Sequence, residues 1–130
     1  MKKVMVFGTF DILHKGHLNF FKQARKHGDY LIAVVARDKT VKEIKGILPH
    51  HKEKIRLKNV KKHADKAVLG MLKNKYKVIE KFKPDIICLG YDQISFIKGL
   101  KKFNISIKRL KPYKAHIHKS NKLRKKLKKQ

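Results

Sequence analysis

Cysteine, acidic residues and long apolar runs are all scarce in this sequence. The single cysteine, Cys88, excludes an intramolecular disulfide, and its place in the apolar segment "DIICLG" predicts a buried thiol in a reducing cytoplasm. The first apolar run, "VMVF", is far too short to cross a bilayer, and no later run approaches the necessary length. We expect no signal peptide before that run. We therefore expect a soluble, cytoplasmic protein without membrane contacts.

Because acidic residues are few, the chain has a large positive net charge. There are 36 Lys and Arg residues against 9 Asp and Glu, which gives a formal net charge of +27. Such a field attracts polyanions. The lysines are spread through every predicted helix rather than gathered in an arginine-rich arm or interleaved with aromatics, so solvated lysine faces are favoured over a dedicated nucleic-acid surface. Nucleic acid stays open as a partner.

Length and periodicity predict one α/β domain. The 130 residues, of which 42% are apolar, fit a single domain over 1–130 with a basic C-terminal tail at 119–130. Apolar runs of strand length at 4–7, 30–36, 67–69, 85–90 and 105–110 alternate with helical patterns, among them 16–26 and about 74–82 and 94–102. We therefore expect a Rossmann-like parallel sheet of about five strands with helices on both faces.

Three polar clusters follow predicted strands: "GTFD" with "HKGH", "RD" at Arg37-Asp38, and "GYDQ". Ligands of such sheets bind beyond the carboxyl ends of the strands, so these clusters are expected to converge. In the first cluster Gly8 and Gly16 allow close backbone approach at a helix start, where free N–H groups attract phosphate. His14 and His17 would then form a clamp on phosphate oxygens. Arg37-Asp38 could equally be a structural ion pair.

Two further roles for the histidine pair stay open. His14, His17 and Asp11 could bind a metal, but the familiar zinc helix pair has i, i+4 spacing and a glutamate that this segment lacks. The histidines could instead merely cap the helix or pack at its start.

The segment "GTFDILHKGH" resembles the signature of the nucleotidyltransferases defined by an H-x-G-H box, in their cytidylyltransferase-like branch. "ARDKTVKEIKG", "DKAVLG" and "KPDIICLGYDQ", in this order, resemble archaeal FAD synthases, with glycerol-3-phosphate cytidylyltransferases as near relatives. The similarity runs from the first strand to about Gln93. "KKHADKAV" lacks the arginine typical of the glycerol-3-phosphate enzymes, which favours the FAD synthase branch.

The resemblance implies transfer of AMP from ATP to FMN by direct in-line displacement, giving FAD and pyrophosphate, with Mg²⁺ carried by ATP and no protein-only metal site. It also implies a homodimer, with the "DKAV" region as a plausible contact. Two alternatives remain: a cytidylyltransferase using CTP and glycerol 3-phosphate or a similar polyol phosphate, and a catalytically inactive basic RNA-binding module on the same fold.

The resemblance also assigns site residues. His14, His17 and Lys45 match the catalytic positions, and Asp11 would face the acceptor or metal. Lys15 occupies the variable position of the box, where it could reinforce the anion site or point to solvent, and we expect the latter. The tail "HKSNKLRKK" matches the family's triphosphate element only at Ser120 and Lys122. The expected nucleotide-binding residues are Gly8, Thr9, Phe10, Gly16, Gly90, Tyr91, Asp92, Ser120 and Lys122.

Overall fold

The computed structural model describes residues 1–72, 74, 76–90, 100 and 103–111. In these residues the elements are, in chain order, β1 (Lys3–Gly8), α1 (Lys15–Arg25), β2 (Tyr30–Val35), α2 (Asp38–Lys45), α3 (Glu53–Lys61), β3 (Lys66–Leu69), α4 (Lys77–Phe82), β4 (Ile86–Leu89) and β5 (Ser106–Arg109). The helix predicted near 94–102 and the tail at 119–130 lie outside the described residues, apart from buried Leu100.

The strands form one parallel sheet with the order β3-β2-β1-β4-β5. The predicted Rossmann-like fold is therefore confirmed. The chain moves outward from β1 to β3, then returns to the other side of β1 to continue with β4 and β5. This reversal opens a crevice beyond the carboxyl ends of β1 and β4, where ligands of such sheets bind.

Alternating side chains of the central strands supply the core on both faces of the sheet. Val4 and Val6 of β1 belong to a cluster that includes Phe21 and Ala24 of α1, whereas Met5 packs in the cluster that includes α4. Every side chain of β4 is buried, as expected of a strand covered on both faces. In the described part of the chain, no helix is long and apolar enough to cross a membrane.

Cys88 lies in β4 and is fully buried, as predicted. Burial raises the pKa of its thiol to about 11, although the charge of Lys108 opposes the shift. The thiol is therefore protonated at neutral pH, which fits a packing role.

Three aspartates close the amino edge of the sheet in the same way. Asp29, Asp65 and Asp85 each precede a strand, and their carboxylates accept the backbone N–H groups of Lys2, Leu31 and Lys3 at 2.8–2.9 Å. Each aspartate also donates its own N–H to the backbone of the neighbouring strand segment, at 2.8–3.0 Å. Scarce carboxylates thus satisfy backbone donors where the parallel ladder begins.

The Asp65 contact gives a stability prediction. Asp65→Ala leaves the N–H of buried Leu31 without its acceptor and is expected to lower the free energy of unfolding by about 1–3 kcal/mol. Asp65→Asn retains an acceptor oxygen and should recover most of the loss. Glu43→Ala removes the same charge from an exposed residue of α2 whose carboxylate makes no hydrogen bond within the described part of the chain, and should change little. Equal urea midpoints for all three variants would contradict this account.

Candidate active site

The loop after β1 turns on Phe10, which has a positive φ of 50° and is only 4% exposed. Its ring packs against Phe21 at a centroid distance of 5.1 Å and meets the His17 ring edge-on at 5.8 Å. Phe10 therefore supports His17 from the core side. A nucleotide contact by Phe10, as predicted from the sequence, would fall to its backbone because the ring is buried.

The Phe10 ring packs directly against Gly8 and leaves no room for a side chain at that position. A Cβ on Gly8 would lie 2.6 Å from the tip of the Phe10 ring, so the glycine gives space to that ring. The sequence predicts that Gly8 allows close approach of phosphate, whereas the observed neighbour is a phenyl ring. The phosphate contact of Gly8 stays a prediction.

His14 and His17 cap α1 with their own rings. His14 is the N-cap residue, and its Nδ1 accepts the N–H of Gly16 at 3.0 Å. Nδ1 of His17 accepts the N–H of His14 at 3.3 Å, which completes a reciprocal capping box. The two rings lie 4.1 Å apart between centroids.

The caps decide which ring nitrogen carries the proton. A neutral imidazole has one donor and one acceptor nitrogen, so a ring that accepts through Nδ1 carries its proton on Nε2. Both histidines therefore have an Nε2–H donor at the positive end of the α1 dipole. Capping and phosphate binding, offered as alternatives by the sequence, are compatible because they use different nitrogens.

The predicted cradle of free N–H groups needs one correction. The N–H of Gly16 is not open to a ligand, because it is donated to Nδ1 of His14. At this position, donors to an anion would come from the histidine rings rather than from the Gly16 backbone.

Asp11 joins the β1 loop to the segment before α3. Its two carboxylate oxygens accept the backbone N–H groups of His50 and His51 at 2.5 and 2.7 Å. Burial raises the pKa of Asp11, but the two backbone hydrogen bonds, with the charges of His51 and Arg56, outweigh burial and lower the pKa below 3.8. The carboxylate therefore fixes the loop, and its predicted role toward acceptor or metal stays a prediction.

Metal ligation by His14, His17 and Asp11 gains no support from these contacts. Both Nδ1 atoms and both carboxylate oxygens accept backbone N–H groups. Within the residues that the structure describes, no group of three or more His, Cys, Asp or Glu side chains is arranged to hold a metal ion.

Arg56 is the residue that sequence reasoning missed. Its side chain is fully buried, and the guanidinium donates to the carbonyls of Thr9 and His51 at 2.8 and 2.9 Å and to Asp38 at 2.7 Å. One buried cation thus ties the β1 loop to α2 and α3. Among 36 basic residues, nothing in the sequence distinguishes this arginine from a surface lysine.

Arg37 and Asp38 find partners in α3 rather than in each other. Arg37 pairs with Glu53 at 3.2 Å, and Asp38 pairs with Arg56. Glu53 also accepts the backbone N–H of Asp38 at 2.9 Å, and Asp38 accepts that of Glu53 at 3.3 Å, so the starts of α2 and α3 cap one another. A structural role for Arg37-Asp38 fits these contacts, with α3 as the partner.

Lys45 and Thr9, both predicted as site residues, come together. Lys45 is the last residue of α2, and its Nζ donates to the Thr9 hydroxyl at 3.3 Å. The ammonium group therefore sits above the β1 loop, on its β2 side. Lys15 is exposed, as predicted.

The remaining predicted contacts lie at or beyond β4. Gly90 follows β4, and its carbonyl accepts a hydrogen bond from Arg109 at 2.8 Å. Tyr91, Asp92, Ser120 and Lys122 lie outside the described residues.

Comparison with known proteins identifies the family. The model of the cytidylyltransferase-like family matches residues 5–126. A solved structure described as the lipopolysaccharide core biosynthesis protein from Thermoplasma volcanium GSS1 is 40% identical, with a TM-score of 0.80 over 87% of this chain and 98% of that one. The chain belongs to the cytidylyltransferase-like family.

Two curated relatives are named FAD synthase. The protein of Ferroglobus placidus is 50% identical over 94 residues, and that of Aciduliprofundum boonei is 52% identical over 95 residues. Each alignment covers 72% of this chain but only 61% and 63% of the relative, so the chain spans about three fifths of their length. A protein of unknown function from Archaeoglobus fulgidus, 23% identical over 85% of this chain and 90% of its own, shares the fold with a TM-score of 0.63.

The contact between Gly8 and Phe10 gives a second prediction. Gly8→Ala forces a Cβ into a buried ring and is expected to cost about 1–3 kcal/mol of unfolding free energy. Gly70→Ala is the matched control, since its Cβ would meet only ordinary contacts at 3.7 Å. Chemical denaturation of both variants measures the difference. A Gly8→Ala protein as stable as Gly70→Ala would show that the Phe10 ring is not held in place.

Proposed function

We propose that this protein transfers AMP from ATP to FMN, giving FAD and pyrophosphate. The main support for this proposal is the geometry of His14 and His17. Because Nδ1 of each ring accepts a backbone N–H, the proton of each neutral ring lies on Nε2, at the start of α1. The family supports nucleotidyl transfer, and the relatives named FAD synthase support this pair of substrates.

The chemistry needs alignment and charge neutralisation more than a base. An oxygen of the FMN phosphate, already ionised, attacks the α-phosphorus of ATP. The bond from that phosphorus to the bridging oxygen breaks, and pyrophosphate leaves with the electron pair. No proton has to be removed from the nucleophile, and no covalent protein intermediate is formed.

The Nε2–H groups of His14 and His17 would donate to phosphoryl oxygens as negative charge grows on them. This interaction is strongest in the transition state, so it accelerates the step instead of only tightening binding. Lys45, held at Thr9, would add positive charge on the β2 side of the same loop. The predicted role of Lys45 toward the triphosphate is part of the proposal.

Mg²⁺ enters this proposal with ATP, as part of the substrate. Among the chain's own residues, the proposal uses His14, His17 and Lys45.

The predicted homodimer is also kept as a proposal. β3, which carries the "KAV" part of the "DKAV" segment, is an outer strand of the sheet, so one of its edges is not covered by another described strand. Sedimentation of the purified protein tests it, and a monomer at micromolar concentration would contradict it.

The reaction is tested by pyrophosphate release. Purified protein with Mg²⁺ is given ATP or CTP, each with FMN, glycerol 3-phosphate or no acceptor. We expect release only with ATP and FMN, together with FAD. Release with CTP and glycerol 3-phosphate would assign the chain to the cytidylyltransferase alternative. If folded protein released no pyrophosphate with any pair of substrates, the proposal would be contradicted and nucleic-acid binding would be the next test.

His17→Asn separates catalysis from capping. The asparagine oxygen can replace Nδ1 as acceptor of the His14 N–H, but the side chain has no donor at the position of Nε2. We expect nearly unchanged stability and a loss of about 10²–10³-fold in kcat. His27→Asn, outside the site, is the matched control. Retained activity in His17→Asn would reduce His17 to a structural cap.

A further inference from the structure

The end of α2 exposes an unusual amount of aliphatic surface. Ile44, Ile47 and Leu48 fall within five residues of one another, and their exposed fractions are 68%, 70% and 58%. Ile12, on the β1 loop directly after Asp11, is 54% exposed. Single exposed apolar residues are ordinary, but a group of them beside a candidate site is typical of a binding surface. We call Ile12, Ile44, Ile47 and Leu48 the aliphatic patch.

Hydrogen bonds hold the patch against the β1 loop on both sides. Before Ile47 and Leu48, Lys45 reaches the Thr9 hydroxyl; after them, the backbone of His50 and His51 binds the Asp11 carboxylate. The segment that carries Ile47 and Leu48 is therefore anchored next to the loop that carries Ile12. Both ends of the segment that carries Ile47 and Leu48 are thus bonded to the loop of the candidate active site.

The topology places the patch on the acceptor side. The nucleotide of such a sheet is expected in the crevice between β1 and β4, where the strand order reverses. α2 follows β2, on the opposite side of β1 from that crevice. A second substrate whose phosphate reaches the histidines would extend over the β2 side, past Lys45 and toward the patch.

FMN has the matching chemistry. Its phosphate is anionic, and its isoalloxazine ring system is a broad flat aromatic surface with an apolar dimethylbenzene end. Glycerol 3-phosphate has no such surface and would leave the aliphatic side chains in water. Lys45 at the end of α2 contacts the β1 loop, and exposed aliphatic residues follow it, which fits a molecule that is anionic at one end and carries a flat, partly apolar ring at the other.

We propose that the aliphatic patch receives the isoalloxazine ring of FMN, and that Ile47 and Leu48 are specificity-determining residues for the acceptor. This inference rests on the proposed function. The patch discriminates between acceptors because burying its side chains under a ring releases water from both surfaces, a gain that a small polyol phosphate does not provide.

The test is the double variant Ile47→Ser with Leu48→Ser. We expect the KM for FMN to rise at least about tenfold, with the KM for ATP unchanged. Ile47→Val with Leu48→Met keeps the surface apolar and should keep the KM. Leu72→Ser is the matched control, because Leu72 is 55% exposed but follows β3, two strands away from β1.

Riboflavin supplies a second readout, since it carries the ring without the phosphate. It should inhibit the unaltered protein competitively against FMN, and the double serine variant should lose this inhibition. Unchanged KM and unchanged inhibition in an active enzyme would overturn the patch assignment alone. No FAD formation by the unaltered protein would overturn both this inference and the proposed function. If the double variant instead dissociated an oligomer without affecting FMN, the patch would be an interface between copies of this chain, and the assignment would be wrong.

Discussion

The capping of α1 by two histidine rings is the interaction on which the site depends. A histidine at a helix start can usually present either nitrogen to a ligand, but here Nδ1 of each ring is committed to a backbone N–H. These two hydrogen bonds tie the orientation of both rings to the backbone at the start of α1. Phe10 supports this arrangement from the core side, and its ring occupies the space that Gly8 leaves.

Most of the few acidic residues have structural roles. Apart from Glu43 and Glu80, every acidic residue in the described part of the chain accepts at least one backbone N–H. Three of them close the amino edge of the sheet, and the others fix the loops around Arg56. The 36 basic residues far outnumber the nine acidic ones, so the formal net charge of +27 acts on any molecule that approaches. Anionic substrates such as nucleotides would be drawn in, with an ionic-strength dependence that reflects this field.

Much of the fold could be predicted because its signals are local. The strands predicted at 4–7 and 30–36 correspond to β1 and β2, with bounds that agree to within a residue or two. The helix predicted at 16–26 corresponds to α1. The family resemblance assigned both Lys45 and Thr9 to the site, and their side chains are hydrogen-bonded. The roles of Gly8, Phe10 and Arg56 could not be predicted, since each depends on a partner brought near by the fold: a ring over a glycine, and two carbonyls around a guanidinium. Asp11 was expected to face a ligand, but its described partners are backbone N–H groups about forty residues away.

The most direct test of this account is the protonation of the two rings, measured by ¹⁵N NMR on histidine-labelled protein at a pH where imidazole is neutral. The account predicts that His14 and His17 both carry the proton on Nε2, with Nδ1 as an unprotonated acceptor. Either ring protonated on Nδ1 would contradict it, because that ring could neither cap α1 as described nor direct an Nε2–H toward a phosphate.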